Sequence, residues 1–368
     1  MKVLVSGADG FIAKNLIISL NGMPNLEIIK FTKHHTLEEL EDYLSDVDFV
    51  FHLAGVNRPV KNNEFYSGNV NLTEKIVEIL QEKKNYVPIL FSSSSQVGKE
   101  NDYSKSKELA ESIIIDYSKK TNTSCFIYRL PNVFGKWSRP NYNSVIATWC
   151  YNITRDIEIQ VSNAETKLEL VYIGDVVHAF LDHLYVTSHK EIFCDVKRKY
   201  IKTLGEIKEL LYQFKESRKS LLIPKIAVGF ERVLYATYLS YLPTDKFSYT
   251  LEGHQDVRGT FYEILKTKES GQLGISTTVP GVTRGNHYHN TKNEKFLVLK
   301  GKALIELREV FSDEIVRYEV SDAKMEIVEM IPGYTHNITN IGDEDMVLLI
   351  WANENYNPQT PDTNFKEV

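Results

Sequence analysis

The first 130 residues alternate short apolar runs with stretches in which apolar positions recur every three or four residues. Val3–Ser6, Leu26–Phe31, Asp48–Leu53, Pro88–Phe91 and Cys125–Tyr128 read as strands. Between them Phe11–Leu20, Leu37–Leu44, Leu72–Glu82 and Glu108–Lys119 read as helices. Strands spaced by helices predict right-handed βαβ units and a doubly wound parallel sheet, a Rossmann-type α/β fold. Residues 131–250 are less regular, with helices expected over Asn143–Thr154 and Leu204–Lys215 and a junction near Pro243. After residue 251 the period changes. Phe296–Leu299, Ala303–Leu307, Ile315–Val320 and Met346–Ile350 are short alternating runs separated by Gly, Asp and Asn, which predicts an all-β barrel or jelly roll. Two domains are expected, residues 1–250 and 251–368.

Composition sharpens that division. The chain has 368 residues, 42% hydrophobic and 25% charged, enough for two cores. Residues 1–250 carry 31 basic and 30 acidic side chains; residues 251–368 carry 12 and 19. The net charge of −6 therefore comes from the last third and argues against a nucleic-acid partner. No apolar run approaches the length of a membrane span. No basic, then apolar, leader precedes a cleavage site, so a cytoplasmic protein is expected. Cys125, Cys150 and Cys194 match no zinc spacing and are expected as reduced, buried thiols.

Candidate chemistry begins at Gly7-Ala8-Asp9-Gly10-Phe11-Ile12-Ala13, which ends the first strand and opens the first helix. Gly7 permits a tight turn, Gly10 lets backbone approach a pyrophosphate, and the helix N-terminus favours the anion. The stretch Lys30-Phe31-Thr32-Lys33-His34-His35 offers no carboxylate for an adenosine ribose. Lys33 or His34 could instead meet a 2′-phosphate, which favours NADP over NAD. Tyr103 and Lys107 stand four apart, on one face of a helix, where an ammonium could lower the ionisation point of a phenol. Upstream, Ser92-Ser93-Ser94-Ser95 ends a strand at the sheet edge where such folds bind ligands.

Residues 1–250 resemble the extended short-chain dehydrogenase/reductases, which include nucleotide-sugar epimerases and dehydratases. Besides the segments above, the matching pieces are Asp48–Gly55, Asn69-Val70, Arg129–Gly135 and Val171–Val177. The resemblance implies Tyr103 as acid/base, Lys107 as its partner and a ribose ligand, and Ser94 as the family serine. It places cofactor contacts at Gly7, Gly10, Phe11, Ile12, Lys33, Leu53, Ala54, Gly55, Asn69, Tyr103 and Lys107.

In the last third, His287 and His289 alternate along a strand, so their imidazoles share one side. Glu294 could join them from the adjoining segment, and Ile331–His336 supplies a third histidine, His336. Three His and one Glu suit zinc, iron, manganese or nickel. The spacing from Gly281 to Gly301 resembles the first cupin motif, and Pro332, Gly333, His336 and Asn340 part of the second. Asp256–Glu263 and Arg284–His287 are similar to the nucleotide-sugar 3,5-epimerase branch of cupins, which generally works without metal and uses the histidine matching His287 as a base. Ligand and base remain alternative roles for His287.

A reductase joined to an epimerase-like cupin points to a ketone on a nucleotide sugar. Lys295 and Tyr334 are candidate proton carriers, and Arg258, Arg284 and Lys295 are expected to line the acidic domain's pocket. The order of domains, with His52–Pro59, Phe134–Trp137, Pro140–Thr148, Tyr238–Pro243 and Thr291–Val298, resembles the bifunctional reductases of capsular-polysaccharide precursor synthesis. That resemblance implies a homodimer in which a zinc-bearing cupin epimerises C3 of a UDP-linked 4-keto-6-deoxy-2-acetamido sugar. The N-terminal domain then reduces C4 with NADPH to UDP-2-acetamido-2,6-dideoxy-L-talose. Two rivals stand beside it. One is a reductase whose cupin only binds sugar or dimerises. The other is a dehydratase or 4-epimerase with a retained cofactor, against which Ser95 and Gln96 stand where dehydratases carry an acidic pair.

Overall fold

The computed structural model describes residues 1–57, 64–185 and 192–368; the Arg58-Pro59 end of the His52–Pro59 segment lies outside them. The chain forms two compact units, Met1–Leu211 with Ala227–Pro243, and Tyr212–Ile226 with Thr244–Val368.

The first unit opens with β1 (Lys2–Ser6), α1 (Phe11–Asn21), β2 (Glu27–Phe31), α2 (Leu37–Tyr43) and β3 (Phe49–His52). It continues with α3 (Leu72–Glu82), β4 (Ile89–Ser94), α4 (Asp102–Thr121) and β5 (Cys125–Leu130). Then come β6 (Asn132–Phe134), α5 (Val145–Thr154), β7 (Lys167–Tyr172), α6 (Ile173–Leu181), β8 (Phe193–Cys194) and β9 (Tyr200–Thr203). Six strands form one parallel sheet in the order β2-β1-β3-β4-β5-β8. Helices cover both faces, so the central strands β1, β3 and β4 are buried on both sides, while the edge strand β2 keeps Glu27 and Lys30 exposed. Val3 and Val5 enter one core with Leu16, Phe51 and Val176, while Leu4 enters the other with Ile76, Leu80 and Ile114. The chain moves from β1 to β2 on one side and then to β3 on the other. This reversal splays the strand ends and makes the crevice where such sheets bind ligands. A smaller sheet, β6-β7-β9, lies beside it in sequence.

Helix α4 starts at Asp102, six residues earlier than its apolar period suggests. The Asn101 side chain accepts the Ser104 N–H at 2.8 Å and caps it. Tyr103 and Lys107 thereby occupy its first turns.

The second unit includes one segment from before residue 250, Tyr212–Ile226. After α7 (Leu204–Ser220), strand β10 (Leu222–Ile223) pairs with Lys266 and Thr267 of a later strand. The next helix, α8 (Gly229–Leu239), returns to the first unit, where Thr154 donates to the Tyr241 carbonyl and Tyr241 donates to the Ser138 carbonyl at 2.5 Å. The strands that follow are β11 (Gly253–Asp256), β12 (Gly259–Thr267), β13 (Gln272–Thr278), β14 (Thr283–Tyr288), β15 (Glu294–Lys300) and β16 (Lys302–Glu309). The last are β17 (Ile315–Ser321), β18 (Ile327–Met330), β19 (Tyr334–Asn340), β20 (Met346–Ala352) and β21 (Asn364–Phe365). They form two sheets, β10-β12-β13-β20-β15-β18 with β11 beside β12, and β17-β16-β19-β14-β21. Alternate residues such as Phe296, Val298, Ile305, Leu307, Ile338 and Leu348 make the core. The all-β expectation holds, with pairings antiparallel except at β10.

The three cysteines are free; Cys125 and Cys150 are buried and Cys194 is half-buried. Among the described residues no helix is long and apolar enough to cross a membrane.

Candidate functional site

Each unit carries one cluster of chemically capable side chains. In the first, a cleft of about 1560 Å³ is lined by Gly10, Phe11, Ile12, Leu53, Gly55, Ser94, Tyr103 and Lys107. Gly7 and Asn69 shape it from behind. Gly7 has φ 67°, and a Cβ there would stand 2.7 Å from the Ala54 Cα, so the first turn and the Leu53–Gly55 turn touch through backbone. A Cβ on Gly55 would crowd the Asn69 Oδ1 at 3.0 Å and the Lys107 Nζ at 3.1 Å. The sequence thus opens space for a ligand where the family's cofactor contacts are expected.

Buried polar groups brace this floor. The Ser6 hydroxyl oxygen accepts the N–H groups of Leu53 and Ala54 at 3.1 and 3.2 Å. His52, fully buried, has Nδ1 2.7 Å from that oxygen and Nε2 2.8 Å from the Thr73 hydroxyl. Thr73 donates to the Asn69 carbonyl, so its oxygen must accept from His52, which places the imidazole proton on Nε2. Burial, helped by the Lys107 charge, lowers the His52 pKa to about 3 and keeps it neutral. Asn69 sits in a π-helical turn, Tyr66–Asn71, where its side chain bonds Val56 backbone twice and the Ser106 hydroxyl.

Lys107 donates to the Ser92 carbonyl at 2.9 Å. Burial brings its pKa down to about 8. Burial also pushes the Tyr103 phenol up, with the Ser94 hydroxyl pulling the other way. The expected lowering of Tyr103 by Lys107 is therefore not what the structure shows: the ammonium is held by a strand carbonyl, and loss of water governs the phenol. Glu111, a turn beyond Lys107, is buried, accepts the Ser93 hydroxyl at 2.5 Å and receives a bidentate Arg129. This pair, which the motifs gave no reason to single out, ties α4 to β4 and β5.

Lys33 is exposed and off the cleft wall; Lys30 and Thr32 line it instead. Strand alternation carried that signal, because Phe31 is buried and its two neighbours share the opposite face. At the other end the cleft meets Trp137, Arg139 and Tyr142, the guanidinium lying 5.4 Å from the Tyr142 ring.

In the second unit His287, His289, Glu294 and His336 converge, each offering one ligand atom within 4.8 Å of the others. His287 lies next to the last residue of β14, after a bulge at Asn286 whose φ of 59° turns the strand, and pairs with His336 on β19. Glu294 opens β15, where alternation points it inward with Phe296 and Val298. His289 and His336 are buried, and their Nε2 atoms have no hydrogen-bond partner; they face Glu294 Oε2 at 3.5 and 3.7 Å. Burial opposes the Glu294 charge, but the two imidazoles and Lys292 hold its carboxyl well below the usual range. Burial chiefly lowers His287 to about 4, leaving a neutral imidazole. Orphaned imidazole nitrogens around an ionised carboxylate fit a divalent cation, and the N₃O donor set suits zinc.

The positive groups fall differently from expectation. Lys295 points to the opposite face of β15 and pairs with Glu329. Arg258 pairs with Asp256 at 2.5 Å, and Arg284 donates to Thr278 and the Thr277 carbonyl. Lys292, not singled out by spacing, meets Glu294 at 3.1 Å.

A parallel sheet with a glycine turn, a Ser–Tyr–Lys cleft and a separate β unit defines a class, and comparison places the chain in it. The chain belongs to the NAD dependent epimerase/dehydratase family, whose model matches residues 3–193. Residues 254–364 match the Polysaccharide biosynthesis C-terminal domain. Across 363 residues, 99% of this chain and 98% of the relative, it is 46% identical to UDP-2-acetamido-2,6-beta-L-arabino-hexul-4-ose reductase of Pseudomonas aeruginosa. The crystal structure of the capsular polysaccharide assembling protein CapF of Staphylococcus aureus superposes with a TM-score of 0.93 at 45% identity, covering both chains fully. A spore coat polysaccharide biosynthesis protein, SpsL of Bacillus subtilis, is 27% identical over 119 residues, 30% of this chain and 79% of the relative.

Proposed function

We propose that this chain is a bifunctional nucleotide-sugar enzyme of surface-polysaccharide precursor synthesis. Its first unit reduces the C4 ketone of a UDP-linked 6-deoxy-2-acetamido sugar, and its second unit inverts C3 beforehand. The product is UDP-2-acetamido-2,6-dideoxy-L-talose. The observation that carries this reading is that Ser94, Tyr103 and Lys107 share one cleft with the glycine turn, in a chain 46% identical end to end to a UDP-hexulose reductase.

The chemistry follows from the residues. Gly10–Ile12 and Leu53–Gly55 would hold a nicotinamide cofactor, which would supply the hydride for C4 when bound. Ser94 donates a hydrogen bond to the ketone oxygen, and Tyr103, kept protonated by burial, gives it a proton, so ketone plus hydride plus proton becomes alcohol. The Lys107 ammonium favours the phenolate left behind until solvent returns the proton. Lys30, on the wall at the end of β2 beside Thr32, is a cation that suits a 2′-phosphate.

In the second unit His287, His289, Glu294 and His336 would hold a divalent ion, zinc by donor set, which would supply Lewis-acid polarisation of the ketone oxygen. A neutral imidazole serves as ligand or base alike, and the convergence of His287 with His289, Glu294 and His336 is what supports its ligand role. Lys292 is the cation beside the cluster and the candidate to carry a proton. The chain acts as a homodimer, which light scattering checks.

The test supplies the UDP-4-keto sugar and NADPH in deuterated water. One NADPH consumed per product and the L-talo configuration by NMR are expected. Turnover without net NADPH oxidation refutes the reductase. Absence of deuterium at C3 refutes the epimerase and leaves a binding domain.

A further inference from the structure

The last seven residues of the chain lie against the candidate metal cluster. β21 pairs with β14, Phe365 opposite His287 and Asn364 opposite Tyr288. Lys366 donates its N–H to the Asn286 carbonyl at 3.0 Å, and its own carbonyl accepts the Thr335 hydroxyl, next to His336. Arg308 reaches the Glu367 carbonyl at 2.6 Å.

Asp362 stands at the start of this tail and does two things at once. Its carboxylate accepts from the loop that joins His289 to Glu294: the N–H groups of Asn290, Thr291 and Lys292 at 2.9, 2.7 and 2.9 Å, the Asn290 amide at 2.9 Å and the Thr291 hydroxyl at 3.1 Å. Its backbone carbonyl meets His289 Nδ1 at 2.5 Å. A carbonyl only accepts, so Nδ1 carries the proton and the lone pair sits on Nε2. That Nε2 is the buried atom without a partner that faces Glu294. Neither contact is local in sequence; the carboxylate closes a span of about 70 residues.

We infer that Asp362 is a positioning residue for the metal centre: it selects the His289 tautomer and holds the loop that brings Lys292 beside Glu294. The C-terminal tail is thus a clamp on the ligand set. This rests on the metal reading given above. Outer partners of ligating histidines commonly govern affinity by roughly 10–100-fold.

The experiment measures zinc affinity of the full chain by competition with a chromophoric chelator. Asp362→Ala is expected to bind about 10-fold or more weakly, and Asp362→Asn to lie between it and the parent. The melting temperature of each metal-free variant shows whether it folds. Histidine ¹⁵N NMR on the metal-free parent is expected to show His289 protonated at Nδ1. That readout stands even where a variant fails to fold, and a proton on Nε2 overturns the inference. If the parent binds zinc and folded Asp362→Ala binds equally well, the clamp is wrong and the metal reading stands. If the parent binds no zinc, the metal reading falls and the inference with it.

Discussion

The two clusters treat buried polar atoms in opposite ways. In the first unit His52, Thr73, Asn69 and Lys107 each find a protein partner, so the floor of the cleft is complete in itself. In the second unit the Nε2 atoms of His289 and His336 find none. Leaving a buried polar atom unpaired costs about 1–3 kcal/mol, so two at one spot mark a place finished from outside the chain. The first cluster is satisfied by the chain itself, whereas the second keeps donor atoms free of protein partners, as the proposed ion would require.

The comparison breaks most sharply at Tyr103. Tyr103→Phe removes the proton donor while leaving the cleft's packing in place. Reduction should fall at least about 100-fold, within the range general acid catalysis supplies. Deuterium exchange at C3 should persist; loss of both in a folded variant would mean the two sites are not separate.

Metal removal comes next in size. Stripping the ion with a strong chelator should destabilise the β unit by up to about 4 kcal/mol, the contribution of a ligand present at a thousand times its dissociation constant. NADPH affinity, read by fluorescence, should not change. An equal loss in NADPH binding would erase the contrast between a self-completed site and an ion-completed one.

Lys107 gives the pH test. Its folded pKa of about 8 lies below the ordinary lysine value, so raising pH through about 8 neutralises the ammonium while Tyr103 remains protonated. The rate of reduction should decline above that point, approaching about tenfold per pH unit. A rate that stays flat to pH 10 would remove Lys107 from the mechanism.

The smallest effect concerns His52. Its folded pKa of about 3 is below the unfolded value near 6.5, so between these the unfolded chain binds the extra proton. Stability from this group is complete above about pH 6.5 and declines as pH falls toward 3. His52→Gln should flatten that slope in urea titrations of the first unit, and an unchanged slope would show that His52 does not set it.

Much of the first unit could be read along the chain because each signal is local. Buried strands between amphipathic helices, two glycines at a strand end and a Tyr–Lys pair four apart need no knowledge of distant contacts. The places that could not be read are those fixed by long-range pairing or by face. Lys33 or His34 was expected near a 2′-phosphate because the stretch lacks a carboxylate, whereas strand alternation puts Lys30 on the cleft wall. Lys295 was a candidate because it adjoins Glu294, yet adjacent strand residues point to opposite faces, and Lys292 is the lysine that meets Glu294. Asp362 carries no motif; its meaning exists only once the tail reaches the 290–292 loop. The acidic step after residue 250 marked a composition change, while strand β10 moves residues 212–226 across it.

That displacement has a consequence for how the chain survives damage and how it is made. Chain passes from one unit to the other after residues 211, 226 and 243, three times in all. A protease that nicks any one crossing leaves two covalent ties between the units. During synthesis, β10 leaves the ribosome before its partner strand exists, and the first unit cannot close until residue 243 has emerged. An unpaired strand edge waiting for its mate is open to pairing with other chains until β12 follows.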